Sequence, residues 1–252
     1  MKYFKNLSVS IWFIWLLAFF FYDAVLLGQN ENEPPNQILD LITNANQVYG
    51  PDEILENGRL YIPDHPNAKG SPYLEDVQWM MGKLILQGDI FSNTLLKYDV
   101  SLELVILKKE VKNQESHIPI ILNNNFIDSF EVEGRLFVNL NTKPFIHNLS
   151  GFVEMIYEDR IIFMIKHHKE FINRYSQSNP YGAYSKLSST YYLYENEMLT
   201  RLSTKNSLLN HFEPYKKEIK KFLRQQNIRY KKATSKQLYE LIKYCDEISI
   251  VE

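Results

Sequence analysis

FVEMIYEDRIIFMIK, residues 152–166, is the stretch on which the fold turns. Phe152 to Tyr157 and Ile161 to Lys166 are two short runs rich in β-branched and aromatic residues. Between them stand Glu158, Asp159 and Arg160, a polar loop of hairpin length. Such side chains pack well on a pleated surface, and so short a link joins two strands only as antiparallel neighbours.

Working outward, the same signal recurs on both sides. Lys83–Gln87, Thr94–Lys97, Leu102–Lys108 and His117–Leu122 read as strands, with turns at Gly88-Asp89 and Asn123-Asn124-Asn125. Phe130 and Val132, then Leu136, Val138 and Leu140, alternate with other residues around Gly134. Thr190–Tyr194 and Met198–Leu202 turn at Glu195-Asn196-Glu197. These spacings leave no room for crossover helices. The fold class predicted is therefore α+β, mainly β: an antiparallel sheet or partly closed barrel, with C-terminal helices packed on it. A membrane-spanning barrel fits poorly, because the strands are uneven and the ending is basic and helical.

The helical ending begins after Leu202. Thr204 caps a helix to Phe212, and Pro214 opens a second carrying Tyr215, Ile219, Phe222 and Leu223 on one face. Asn227 ends it. Thr234 with Gln237 makes a capping box for a third, whose stripe is Leu238, Leu241, Ile242, Cys245 and Ile248. Upstream, Asn36–Tyr49 has helical spacing. Gly58–Leu74 holds three prolines and reads as a long ordered loop after a short strand at Arg59–Ile62. The domain reading is then 1–28 signal peptide, 29–57 linker and short helix, 58–203 antiparallel β domain, and 204–252 basic helical segment.

The signal reading rests on Lys2 and Lys5 followed by a charge-free run from Ile11 to Tyr22. A bilayer-spanning helix needs about 20 apolar residues and an export-signal core about 7–15. Ala24 and Gly28 are the candidate last residues before cleavage; retention as an N-terminal anchor is the alternative. The expected address is the periplasm, the cell envelope or the medium. The lone Cys245 excludes an intramolecular disulfide, and no cysteine lies near the cleavage sites to carry a lipid.

GRLYIPDHPNAKGSPYL (58–74), LLKYDVSLELVIL (95–107), HIPIILNNNFIDSFEVEGRLF (117–137), GFVEMIYED (151–159) and NSLLNHFEPYKKEIKKFLRQQNIRYKK (206–232) carry a resemblance. In these segments the chain resembles uncharacterised exported, β-rich proteins of Gram-negative bacteria, a family of unknown function. The resemblance implies an address and a fold, and carries over no site residue.

No catalytic, cofactor-binding or metal-binding residue set stands out. There is no Gly-x-Ser-x-Gly, no phosphate-cradling glycine loop, and only 9 glycines in the chain. His167-His168-x-Glu170 resembles a metal fragment, but adjacent strand residues point to opposite faces, so a solvated surface is expected. Glu131 with Glu133, and Asp99 with Glu103, are carboxylate pairs of a kind common by chance. Asp64-His65 in the proline-rich loop is the one place where an exposed acid–base pair is expected if the protein is an envelope hydrolase.

Two features suggest binding instead. Lys216, Lys217, Lys220, Lys221, Arg224, Arg229, Lys231 and Lys232 gather in a chain whose net charge is only −2. They form either a solvated outer face or a seat for anions. Tyr175, Tyr181, Tyr184, Tyr191, Tyr192 and Tyr194 mix with Ser, Asn and Gly, a composition suited to contact surfaces. The leading expectation is a non-enzymatic envelope or secreted binding module that uses both features. Its partner would be an envelope protein, an anionic glycan or a lipid headgroup, with no nucleic acid, nucleotide or cofactor. A purely structural assembly role is the remaining alternative.

Overall fold

In the computed structural model, residues 58–75, 78–110, 117–142, 146, 148–177 and 179–249 are described. The expected signal segment and the Asn36–Tyr49 helix lie outside them.

Thirteen strands follow in chain order among the described residues: β1 (Arg59–Leu60), β2 (Met80–Leu86), β3 (Asp89–Asp99), β4 (Leu104–Glu110), β5 (His117–Ile121), β6 (Ile127–Val132), β7 (Arg135–Asn139), β8 (Phe152–Glu158), β9 (Ile162–His168), β10 (Phe171–Ile172), β11 (Ala183–Tyr184), β12 (Ser188–Glu195) and β13 (Met198–Arg201). Eleven of them form one antiparallel sheet in the order β1-β5-β4-β3-β2-β6-β7-β8-β9-β12-β13, and β10 pairs with β11 apart from it. The sheet is not closed into a barrel. The sequence runs Thr94–Lys97 and Leu102–Lys108 are the middle of one long strand, β3, and most of its neighbour, β4.

The sheet is strongly curled. In a flat sheet, the four strand spacings from β3 to β8 would amount to roughly 19 Å. Yet the rings of Tyr98 on β3 and Phe152 on β8 lie 5.8 Å apart. Phe130 and Phe137 complete this buried aromatic group, stacked 4.8 Å apart. Register shifts in β2, at Gly82/Leu84 and Ile85/Leu86, and in β8, at Met155/Tyr157, help the strands bend. Gly82 has to be glycine there, because a Cβ would meet the Glu131 carbonyl oxygen at 2.3 Å.

Among the described residues, three α-helices fill the rest of the concave face: α1 (Lys205–His211), α2 (Lys216–Gln225) and α3 (Ser235–Ser249). Their caps follow the sequence. Thr204 and Ser207 cap each other's backbone on α1, and Thr234 does the same with Gln237 ahead of α3. Pro214 lies in a single 3-10 turn directly before α2, and Asn227 takes a left-handed backbone (φ 51°) after it. Ile219, Leu223, Leu238, Leu241, Ile242 and Cys245 pack on Ile156, Phe163, Ile165 and Tyr191 of the sheet. Polar contacts fix the fit. The Tyr157 hydroxyl donates to Asp246 at 2.9 Å, and the Arg160 guanidinium lies 2.7 Å from the same buried carboxylate.

The proline-rich segment is ordered by its backbone. Leu74 N–H donates to the Tyr98 carbonyl and Val100 N–H to that of Pro72, while Lys69 N–H donates to the Gly182 carbonyl and Tyr184 N–H to that of Lys69. The loop thus ties the end of β3 to β11. No described helix is long and apolar enough to cross a membrane.

Candidate functional site

Strand register brings four polar side chains into one row. Phe137 opposes Glu154, Glu154 opposes Ile165, and His167 opposes Ser189. Residues two apart share a face, so Arg135, Glu154, His167 and Ser189 all project to the concave side. Ser235, the first residue of α3, meets them there. The row sits between the aromatic group and the helical core, and Phe137 lies 6.1 Å from the His167 ring.

Glu154 is 1% exposed and His167 6%. The Glu154 carboxylate accepts from Arg135 Nε (3.1 Å) and Nη2 (2.8 Å), from Ser235 Oγ (2.5 Å) and from His167 Nε2 (2.6 Å). Burial alone would push this carboxyl up. The contacts with His167, Arg135 and Ser235 outweigh it and hold the group at about 2, against 4.5 for a free glutamate. An ionised carboxylate only accepts, so His167 Nε2 carries the proton between them. In the neutral imidazole the lone pair is then on Nδ1, which lies 2.9 Å from Ser189 Oγ. Arg135 Nη2 also lies at hydrogen-bond distance, 3.1 Å, from His167 Nε2, beside its bond to Glu154, and Nη1 donates to Glu75 at 3.3 Å.

A cavity of about 360 Å³ adjoins this row. Its walls include Gly70, Leu74, Glu75, Lys169, Tyr184 and Leu187. Glu75 is the residue bonded to Arg135. Lys169, buried, follows His167 by two positions, and Leu187 precedes Ser189 by two. The cavity wall thus meets the row through the Glu75–Arg135 bond and through the residues two places from His167 and Ser189.

The solvated surface expected at His167-His168 holds only for His168. His168 is exposed, but His167 is buried, because alternation along β9 turns exactly one of the two inward. The row escaped the sequence reading altogether, apart from that histidine. Glu154 is in phase with Phe152 on a strand of buried residues, which is the signal that could have exposed it.

Asp64 and His65 are both exposed, and they do not bond each other. His65 stacks on Phe171 with ring centroids 3.6 Å apart and planes 6° from parallel. It packs as an aromatic residue, with the Tyr184 ring tilted against it at 6.4 Å. Nearby, the Tyr73 hydroxyl donates to that of Tyr61, which donates to the buried Asp99. Burial raises the Asp99 carboxyl, against the N–H groups of Leu102 and Ser101 that bind its charged form. The carboxylate pairs do not assemble: Asp99 is held as above, Glu103 pairs with Lys166 at 2.7 Å, and Glu133 lies in a turn beyond the exposed Glu131. Among the described residues, no group of three or more His, Cys, Asp or Glu side chains is placed to hold a metal ion.

The cationic segment is laid out on α2 and the turn after it. Ile219 and Leu223 face the core, while Lys217, Lys221 and Arg224 are exposed, as are Arg229, Lys231 and Lys232. Among the described residues none of these six has a carboxylate within ion-pair distance. The tyrosine stretch, by contrast, does not form one surface. Tyr175 and Tyr181 are exposed, Tyr191 is buried under the helices, and Tyr192 and Tyr194 pack on the opposite face of the sheet.

No protein-family model, curated protein or solved structure matches the chain.

Proposed function

We propose that the protein is an exported binding module that docks on an anionic envelope surface, by phosphate-bearing lipid headgroups, through the cationic face of α2 and the turn that follows. The observation that carries this reading is the set of six exposed cations without an ion-pair partner among the described residues, three on α2, whose other face is anchored in the core, and three in the segment that follows it. A docked helix presents its charges on a rigid support, so little conformational entropy is lost when they meet a surface. Each Lys or Arg near an anionic membrane contributes about 1 kcal/mol, screened by salt. Export rests on the basic and then apolar N-terminal sequence and on the resemblance to exported β-rich proteins. The tyrosines take no part in this reading, since Tyr191 is in the core.

The test is co-sedimentation of the full chain with vesicles of anionic or zwitterionic phospholipid at low and physiological salt. Binding to the anionic vesicles alone, weakened by salt and by Lys217→Ala/Lys221→Ala/Arg224→Ala, is the expected result. Equal binding by the triple variant, or none by the native chain, overturns the reading.

A further inference from the structure

We infer that Ser189, His167 and Glu154 form an acyl-transfer site that hydrolyses small carboxylic esters, with the acyl group seated in the cavity beside them. Three independent observations meet here. Ser189 is exposed and its Oγ lies 2.9 Å from His167 Nδ1. The other ring nitrogen, Nε2, lies 2.6 Å from a carboxylate that three further donor atoms keep ionised. A cavity within the ~300–1,000 Å³ range of small-molecule sites adjoins the row. Nucleophile, base and orienting acid are recognised by these contacts rather than by chain order or ring-nitrogen label.

The chemistry balances without any further reagent. Ser189 Oγ attacks the ester carbonyl carbon and its proton passes to His167 Nδ1. The carbon–alkoxy bond then breaks, and the leaving alcohol takes that proton, which leaves an acyl ester on Ser189. Water attacks this ester by the same route, releasing the carboxylic acid and restoring the serine. Ester and water become acid and alcohol. Ser189 and His167 are the catalytic residues; Glu154 is a positioning residue, which fixes the tautomer and faces the imidazolium that forms. Arg135 lies close to that imidazolium, but Glu154 and Glu75 both pair with it, so the three together carry a net negative charge. The apolar walls at Leu74, Tyr184 and Leu187, with the exposed cation Lys186 beside them, suit a short acyl chain with a polar end.

This inference is independent of vesicle binding, and its readouts do not depend on the cationic face. The full chain is treated with an alkyl fluorophosphonate, native and heat-denatured, and the labelled peptide is sequenced by mass spectrometry. Turnover of p-nitrophenyl acetate and butyrate is measured alongside. Labelling of Ser189 in the native chain only, and loss of both labelling and turnover in Ser189→Ala at an unchanged melting temperature, are expected. A second variant leaves the buried row intact: in Ser189→Cys the new thiol should react with iodoacetamide at pH 7 about tenfold faster than free cysteine, because His167 and its carboxylate favour the thiolate. If native Ser189 is labelled no faster than in denatured chain, or the Ser189→Cys thiol reacts no faster than free cysteine, the contacts are structural and the inference is wrong.

Discussion

Acid should unfold the native chain by a step that Glu154→Gln does not share. The folded carboxyl is held at about 2, against an ordinary 4.5. Because its folded value is the lower one, the group adds stability above pH 4.5, and loses it as the pH falls toward 2. The full contribution is about 3 kcal/mol at pH 6, and about 2 kcal/mol of it is gone by pH 3. Glutamine is neutral throughout. It leaves Arg135 and His167 without their anion, which costs about 3–5 kcal/mol at pH 6. The gap between native and variant stability should therefore narrow by about 2 kcal/mol from pH 6 to pH 3. Carboxylates away from Arg135 and His167 titrate alike in both proteins, so the difference belongs to Glu154 and the groups it touches. Urea unfolding followed by far-UV circular dichroism at a series of pH values measures it. A gap that stays constant would mean that Glu154 is not held ionised by Arg135, His167 and Ser235, and would remove the tautomer argument with it.

Two further outcomes test the helical layer. Ile219 is fully buried, so Ile219→Asp should destabilise the protein by more than about 3 kcal/mol in guanidinium unfolding, through lost burial and a carboxylate without a partner; an unchanged melting temperature would mean that α2 is not docked. Burial, and next the charge of Asp246, push the Cys245 thiol up to about 12. It should resist a thiol reagent at pH 8 in the native state and react at once in urea, and fast native labelling would mean that α3 opens.

Local chemistry made most of the fold legible. The hairpin at residues 158–160, the caps at Thr204 and Thr234 and the stripe from Leu238 to Ile248 each depend on neighbours a few residues away, and each is where the sequence placed it. What the sequence could not supply is anything set by long-range register. Ser235 reaches Glu154 across 81 residues, and Arg135 reaches it across 19. Neither distance follows from spacing, because a one-residue slip would turn every partner to the other face. The same physics explains the histidine error. His167 and His168 take opposite faces, as strand alternation requires, but that rule alone does not say which face is covered. The covering layer, α3, arrives from the far end of the chain. Once it is in place a buried Glu154 needs donors, and the residues in phase on β7 and β9 are Arg135 and His167. The row is thus a consequence of curling a sheet around an aromatic group while docking a helix beside it. Its outer end, Ser189, is left exposed, and that exposed hydroxyl is what separates a polar core from a site able to act on another molecule.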